Sequence, residues 1–106
     1  MKGTEKQIKW AEEIKAAFIS RCDGRINWEA EYRGNADTQT AILYRIMRAG
    51  AIKMFDSIDD AAKIIDKRHM FDPSEADDKV RQWGMMIERG KLTIDQIIMA
   101  NKIENY

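Results

Sequence analysis

The sequence has few of the residues from which catalytic and metal sites are built. It contains one cysteine, Cys22, and one histidine, His69, among its 106 residues. A single cysteine excludes a disulfide within the chain, and a lone histidine leaves no Cys/His set for a zinc site. We therefore expect no metal, no cofactor and no enzymatic activity.

Some weaker chemical arrangements remain open. Asp66, His69 and Asp72 could converge on an ion, but a solvated histidine near a helix end is the commoner case. A nucleophile pair of Cys22 and His69 is disfavoured because Cys22 lies on an apolar stripe, where cysteine is usually inert packing. A minority alternative is that the carboxylates form a surface that imitates nucleic-acid phosphates. The acids concerned are Asp56, Asp59, Asp60, Asp72, Glu75, Asp77 and Asp78.

An excess of charge of either sign is also missing. The chain has 18 Lys and Arg against 18 Asp and Glu, whereas nucleic-acid binding usually depends on surplus positive charge. No apolar run approaches the roughly 20 residues needed to cross a bilayer. The start, Met1–Lys6, lacks the apolar stretch of a signal peptide. We expect no membrane contact and a cytoplasmic protein.

What is present predicts one all-α domain over residues 1–106, a compact bundle of about five short helices. Thr4 and Gln7 form a capping box for the first helix. Its apolar residues recur every three or four positions up to Cys22, and Gly24 is typical of a helix end. Residues 25–36 break this pattern and indicate an aromatic-basic loop.

The later helices are predicted from their capping residues. The second helix begins after Asp37 and ends at Gly50. Residues 51–56 could be strand-like or helical, and Ser57 opens the third helix. Asp72 and Pro73 mark the start of a fourth helix that extends to about Arg89. Thr93 and Gln96 form a capping box for the last one.

Two groups of residues are candidate binding sites. The first lies in the predicted loop and consists of Arg25, Trp28, Tyr32 and Arg33. Trp, Tyr and Arg are enriched at protein-binding hot spots. An equally weighted alternative is that Trp28 and Tyr32 fold back onto the core and cover its apolar surface.

The second group is basic and is spread over the second and third helices. It consists of Arg45, Arg48, Lys63, Lys67 and Arg68. A helix-turn-helix protein would use such residues on DNA. Asp59 and Asp60 at the start of the third helix would repel phosphates, so a solvated face with local ion pairs is favoured.

Two segments are similar to one group of known proteins. Residues 3–15, GTEKQIKWAEEIK, resemble a recurrent "GSEKQIxWAExIR" start in small proteins of Firmicutes bacteria, their phages and mobile elements. Residues 61–68, AAKIIDKR, resemble the "AKWWIDNR" stretch of the same proteins, with Ile64 in place of an aromatic and Lys67 in place of asparagine. Together they cover about a fifth of the chain. The resemblance implies a short accessory protein and transfers no activity to particular residues.

These observations favour a binding protein. We expect a stoichiometric inhibitor of a host macromolecular machine, of anti-defence type, with a protein or ribonucleoprotein partner such as a Cas effector. The alternative is a nucleic-acid-binding regulator that uses the basic grouping on the second and third helices.

Overall fold

The computed structural model describes all 106 residues and confirms the all-α class. The five helices are α1 Glu5–Tyr32, α2 Gln39–Ser57, α3 Ala61–Asp66, α4 Pro73–Glu88 and α5 Ile94–Ala100. A short 3-10 helix, Arg68–Phe71, connects α3 to α4. The only β pairing is an isolated bridge between Lys2 and Asp60. No helix is both long and apolar enough to span a bilayer.

The first helix is much longer than the sequence analysis predicts. It has 28 residues and continues through Gly24, so the prediction of a loop at 25–36 is wrong for residues 25–32. Gly24 keeps a negative φ, and it is Gly34, at φ +65°, that adopts the left-handed conformation after the helix. The physical reason is that the inward stripe does not stop at Cys22. Ile26 packs against the main core and Glu29 is only 5% exposed.

Glu29 continues the buried stripe because its carboxylate finds partners. Its Oε2 accepts a hydrogen bond from Thr38 Oγ1 at 3.1 Å and lies 3.2 Å from Arg33 Nε. Thr38 also accepts from the backbone amide of Ala41, which makes it the cap of α2. The prediction of Asp37 as that cap is therefore wrong, and Asp37 instead pairs with Arg45.

The second helix continues through Gly50, so the predicted end at Gly50 is wrong. Residues 51–56, for which the sequence allows a strand or a helix, are helical. Ala51 and Phe55 extend the buried face of α2. Ser57 ends α2, with its hydroxyl donating to the Met54 carbonyl, and does not open α3. The cap of α3 is Asp60, whose Oδ1 accepts from the Ala62 amide at 3.0 Å.

The last two helices begin where the sequence predicts. Asp72 caps α4 with Pro73 in its first turn, and Thr93 with Gln96 forms the capping box of α5. The end of α4 at Glu88 is one residue before the predicted one.

The long helix α1 is the element against which most of the others pack. At about 1.5 Å per residue it spans roughly 42 Å, close to the longest dimension of 45 Å. The helices α2, α3 and α4 and the 3-10 helix all contact it. The main core contains Phe18, Leu43, Ile46, Phe71 and Ile97 among its 12 buried residues. A smaller cluster of Ala11, Ala61 and Ile64 joins α1 to α3.

Replacement of Gly24 by alanine tests the continuity of α1. A Cβ at Gly24 would meet no atom within 4 Å, and alanine in a helix interior is more favourable than glycine by about 0.5–1 kcal/mol. We expect Gly24→Ala to raise the free energy of unfolding in urea by about that amount. Gly34→Ala is the matched control, and it should lower stability by about 1 kcal/mol because φ +65° disfavours a side chain. A destabilised Gly24→Ala would contradict the continuous helix.

Candidate functional site

The aromatic candidates lie on a helix, at the end of α1, and are exposed there. Trp28 is 42% exposed and Tyr32 is 70% exposed. Their ring centroids are 5.5 Å apart, and the Arg33 guanidinium lies 5.6 Å from the centre of the Trp28 ring. Neither side chain belongs to a hydrophobic core cluster. Trp28 and Tyr32 pack on each other and are exposed, so the alternative that they cover the core does not hold.

The fourth candidate, Arg25, forms an ion pair with Asp77 of α4. Asp77 Oδ1 lies 3.6 Å from Arg25 Nε and accepts a hydrogen bond from Tyr44 Oη at 2.5 Å. Asp77 Oδ2 lies 3.0 Å from Arg21 Nε. Burial, followed by the hydrogen bond to Asp77 and its charge, raises the pKa of the Tyr44 phenol well above its usual range. Tyr44 therefore remains a donor to Asp77 throughout the physiological pH range.

The carboxylates at this end of the molecule are much less exposed than the arginines with which they pair. The Asp77 side chain is 14% exposed, against 44% for Arg21 and 47% for Arg25. The other pair shows the same difference, since the Arg33 side chain is 63% exposed and the Glu29 side chain is 6% exposed. Because each carboxylate is less exposed than its arginine partners, this surface presents mainly guanidinium groups to solvent. We name Arg21, Arg25, Trp28, Tyr32 and Arg33 the aromatic-arginine face.

A groove of about 470 Å³ runs along this face, between α1 and the start of α4. Six residues of α1 and Pro73 of α4 line it; those of α1 are Ala17, Ser20, Arg21, Gly24, Arg25 and Trp28. None of the residues that line it is acidic. The groove can therefore accept an extended chain that carries negative charge.

The structure does not bring the basic grouping together. Arg48 pairs with Asp23 at 2.7 Å, whereas the Arg68 guanidinium lies 5.4 Å from the centre of the Trp10 ring. Asp23 and Trp10 are 13 positions apart on α1, which places them about 140° apart around the helix. Arg48 and Arg68 therefore lie on opposite flanks of α1.

The remaining members of the grouping do not connect Arg48 with Arg68. Arg45 is on the flank of Arg48, where both line a cavity beside the carboxyl-terminal residues. Lys63 is on α3, Lys67 follows it, and both are exposed. No continuous surface joins all five cations.

The residues weighed for chemistry are also separated. Cys22 is fully buried in the main core, whereas His69 is exposed and lines a groove near Trp10. No three His, Cys, Asp or Glu residues share a position from which they could hold a metal ion. Several of the acids have structural roles, since Asp60 and Asp72 cap helices and Asp59 lies near the amino terminus.

Sequence reasoning missed Arg21, Tyr44 and Asp77 as parts of this site. Arg21 precedes Arg25 by four positions, so the two share a face once α1 is continuous. That spacing is visible in the sequence. Nothing local marks Asp77 or Tyr44, because they reach the site only through the packing of α4 and α2 against α1.

Comparisons of the chain with protein-family models, with curated proteins and with solved structures gave no match.

The buried thiol of Cys22 should make stability fall at alkaline pH. Burial, and then the charge of Asp23, raise the pKa of Cys22 from 9.0 to about 12. Above about pH 9 the unfolded chain releases this proton while the folded protein keeps it, so the free energy of unfolding decreases as the pH rises. The slope from this one group is at most about 1.4 kcal/mol per pH unit.

Urea unfolding of the protein and of Cys22→Ala, measured between about pH 7 and pH 10, checks this. The variant should be less stable throughout because it leaves a small cavity, but its stability should fall less steeply with pH. Equal slopes in both proteins would show that Cys22 ionises as readily in the folded state.

Proposed function

We propose that the protein is a small accessory protein of a phage or mobile element that binds a host macromolecular machine stoichiometrically and inhibits it. An anti-CRISPR inhibitor of a Cas effector is the leading example. The observation that carries this proposal is the exposure of Trp28 and Tyr32 on the last turns of a long helix, with arginines around them. Such residues are enriched at binding hot spots because they bury much surface and make several polar contacts.

The contacts within this surface support the same proposal. Trp28 contacts both Tyr32 and Arg33, and Arg25 pairs with Asp77. Side chains that such contacts restrict before binding lose less conformational entropy on binding, which favours affinity. Inhibition by occupancy needs no chemistry of its own. The similarity of residues 3–15 and 61–68 to small phage and mobile-element proteins gives the biological context.

The alternative of a nucleic-acid-binding regulator is less well supported. It requires Arg45, Arg48, Lys63, Lys67 and Arg68 to act on one duplex, whereas Arg48 and Arg68 lie on opposite flanks of α1.

Loss of the two exposed aromatics tests the proposal. Purified RNA-guided effectors from Firmicutes hosts are assayed for target cleavage with increasing amounts of the protein, and we expect inhibition of one of them that saturates near one protein per effector. Trp28→Ala combined with Tyr32→Ala should raise the concentration for half-inhibition about 30-fold or more, since a hot spot contributes at least 2 kcal/mol.

Trp10→Ala is the matched control. Trp10 is on the same helix, is 46% exposed and stacks with an arginine, as Trp28 does. It should change inhibition less than about threefold, because surface substitutions outside an interface are usually near neutral. Full inhibition by the double variant would contradict the assigned surface, and failure to inhibit any effector would contradict the anti-CRISPR form of the proposal.

A further inference from the structure

We infer that the groove beside Trp28 binds an acidic segment of a partner protein, in which a Glu or Asp carboxylate is held by Arg21 and Arg25. This rests on the proposed function, since it names the chemistry of the partner that the aromatic-arginine face takes. An apolar residue next to that carboxylate would pack against the exposed part of Trp28.

The charges around the groove carry the first step of this inference. Arg21 and Arg25 line the groove, which has no acidic lining residue. Their only ion-pair partner, Asp77, is 14% exposed and lies beneath them. Each guanidinium has five N–H donors, and Asp77 takes only part of that set. The donors that Asp77 does not take have the fork geometry that matches a carboxylate.

The shape of the groove carries the second step. Ala17 and Gly24 line it among the larger side chains, and a Cβ at Gly24 would meet no atom within 4 Å. These small residues let the backbone of an extended segment approach α1 closely. Pro73 of α4 also lines it, and proline has no backbone N–H that would need a partner. The groove therefore fits a peptide that inserts a carboxylate between the arginines.

Single-stranded nucleic acid is the competing anionic ligand, and it fits less well. Such ligands use stacking on open aromatic faces and a positive path that follows the backbone. The Trp28 ring already has Arg33 and Tyr32 against it. The chain has no net charge to attract a polyanion, and the groove has two arginines, enough for a carboxylate but few for a run of phosphates.

The test uses a short glutamate-rich peptide with a central phenylalanine, titrated into the isotope-labelled full chain and followed by amide and indole NMR shifts. We expect saturable shifts at Ala17, Gly24 and the Trp28 indole. A peptide with glutamine in place of every glutamate should produce none of them. Higher salt should weaken the binding, because it depends on exposed charges.

Two matched arginine variants locate the contact. Arg25→Gln removes one donor set while Asp77 keeps Arg21 and Tyr44, and it should weaken peptide binding about fivefold or more. Arg48→Gln also removes an arginine that pairs with one aspartate and is 39% exposed, but on the opposite flank of α1. It should leave the affinity within about twofold.

Three outcomes would overturn the inference. The glutamate peptide could cause no shifts in the groove, both arginine variants could weaken peptide binding equally, or an oligothymidylate could bind the groove more tightly than the peptide. These outcomes differ from failure of the proposed function. Peptide binding together with normal inhibition by the double alanine variant would refute the inhibitory surface alone. Loss of inhibition in that variant without peptide binding would refute only the acidic-segment chemistry.

Discussion

The carboxylate of Asp77 is the interaction on which the arrangement of the three longest helices depends. It projects from α4, accepts a hydrogen bond from Tyr44 on α2 and pairs with Arg21 and Arg25 on α1. A carboxylate so far removed from water is costly unless donors compensate it. Apolar faces alone tolerate small slips between helices, whereas a shift of one turn here would separate Asp77 from its donors. The contact therefore specifies the register of α1, α2 and α4.

The same contact determines the character of the surface above it. Glu29 is buried and the Asp77 side chain is 14% exposed, whereas Arg21, Arg25 and Arg33, which pair with them, remain exposed. A chain with equal numbers of acidic and basic residues thus presents a locally cationic face. Net charge gives no indication of it, since the carboxylates that balance the arginines lie beneath them.

Three of the five helix starts are predictable from the sequence, whereas the ends of α1 and α2 are not. Thr4, Asp72 and Thr93 cap helices as predicted because a cap is local chemistry between a side-chain oxygen and an amide two or three residues ahead. The prediction that Gly24 and Gly50 end helices is wrong. A glycine ends a helix only if the chain gains nothing by continuing, and here buried residues beyond each glycine extend the helix. Burial of those residues depends on helices distant in sequence.

The composition of the candidate site was also predictable, but its geometry was not. The residue types of Arg25, Trp28, Tyr32 and Arg33 indicate a binding site, but in the predicted loop their spacing carries no meaning. On a continuous helix, positions 21, 25, 28 and 32 are four, three and four residues apart and therefore share one face. The buried Glu29 is what makes this possible, since it keeps α1 helical beyond Cys22 while Thr38 and Arg33 satisfy its charge. A polar residue on the inward stripe thus helps to keep Trp28 and Tyr32 on a helix.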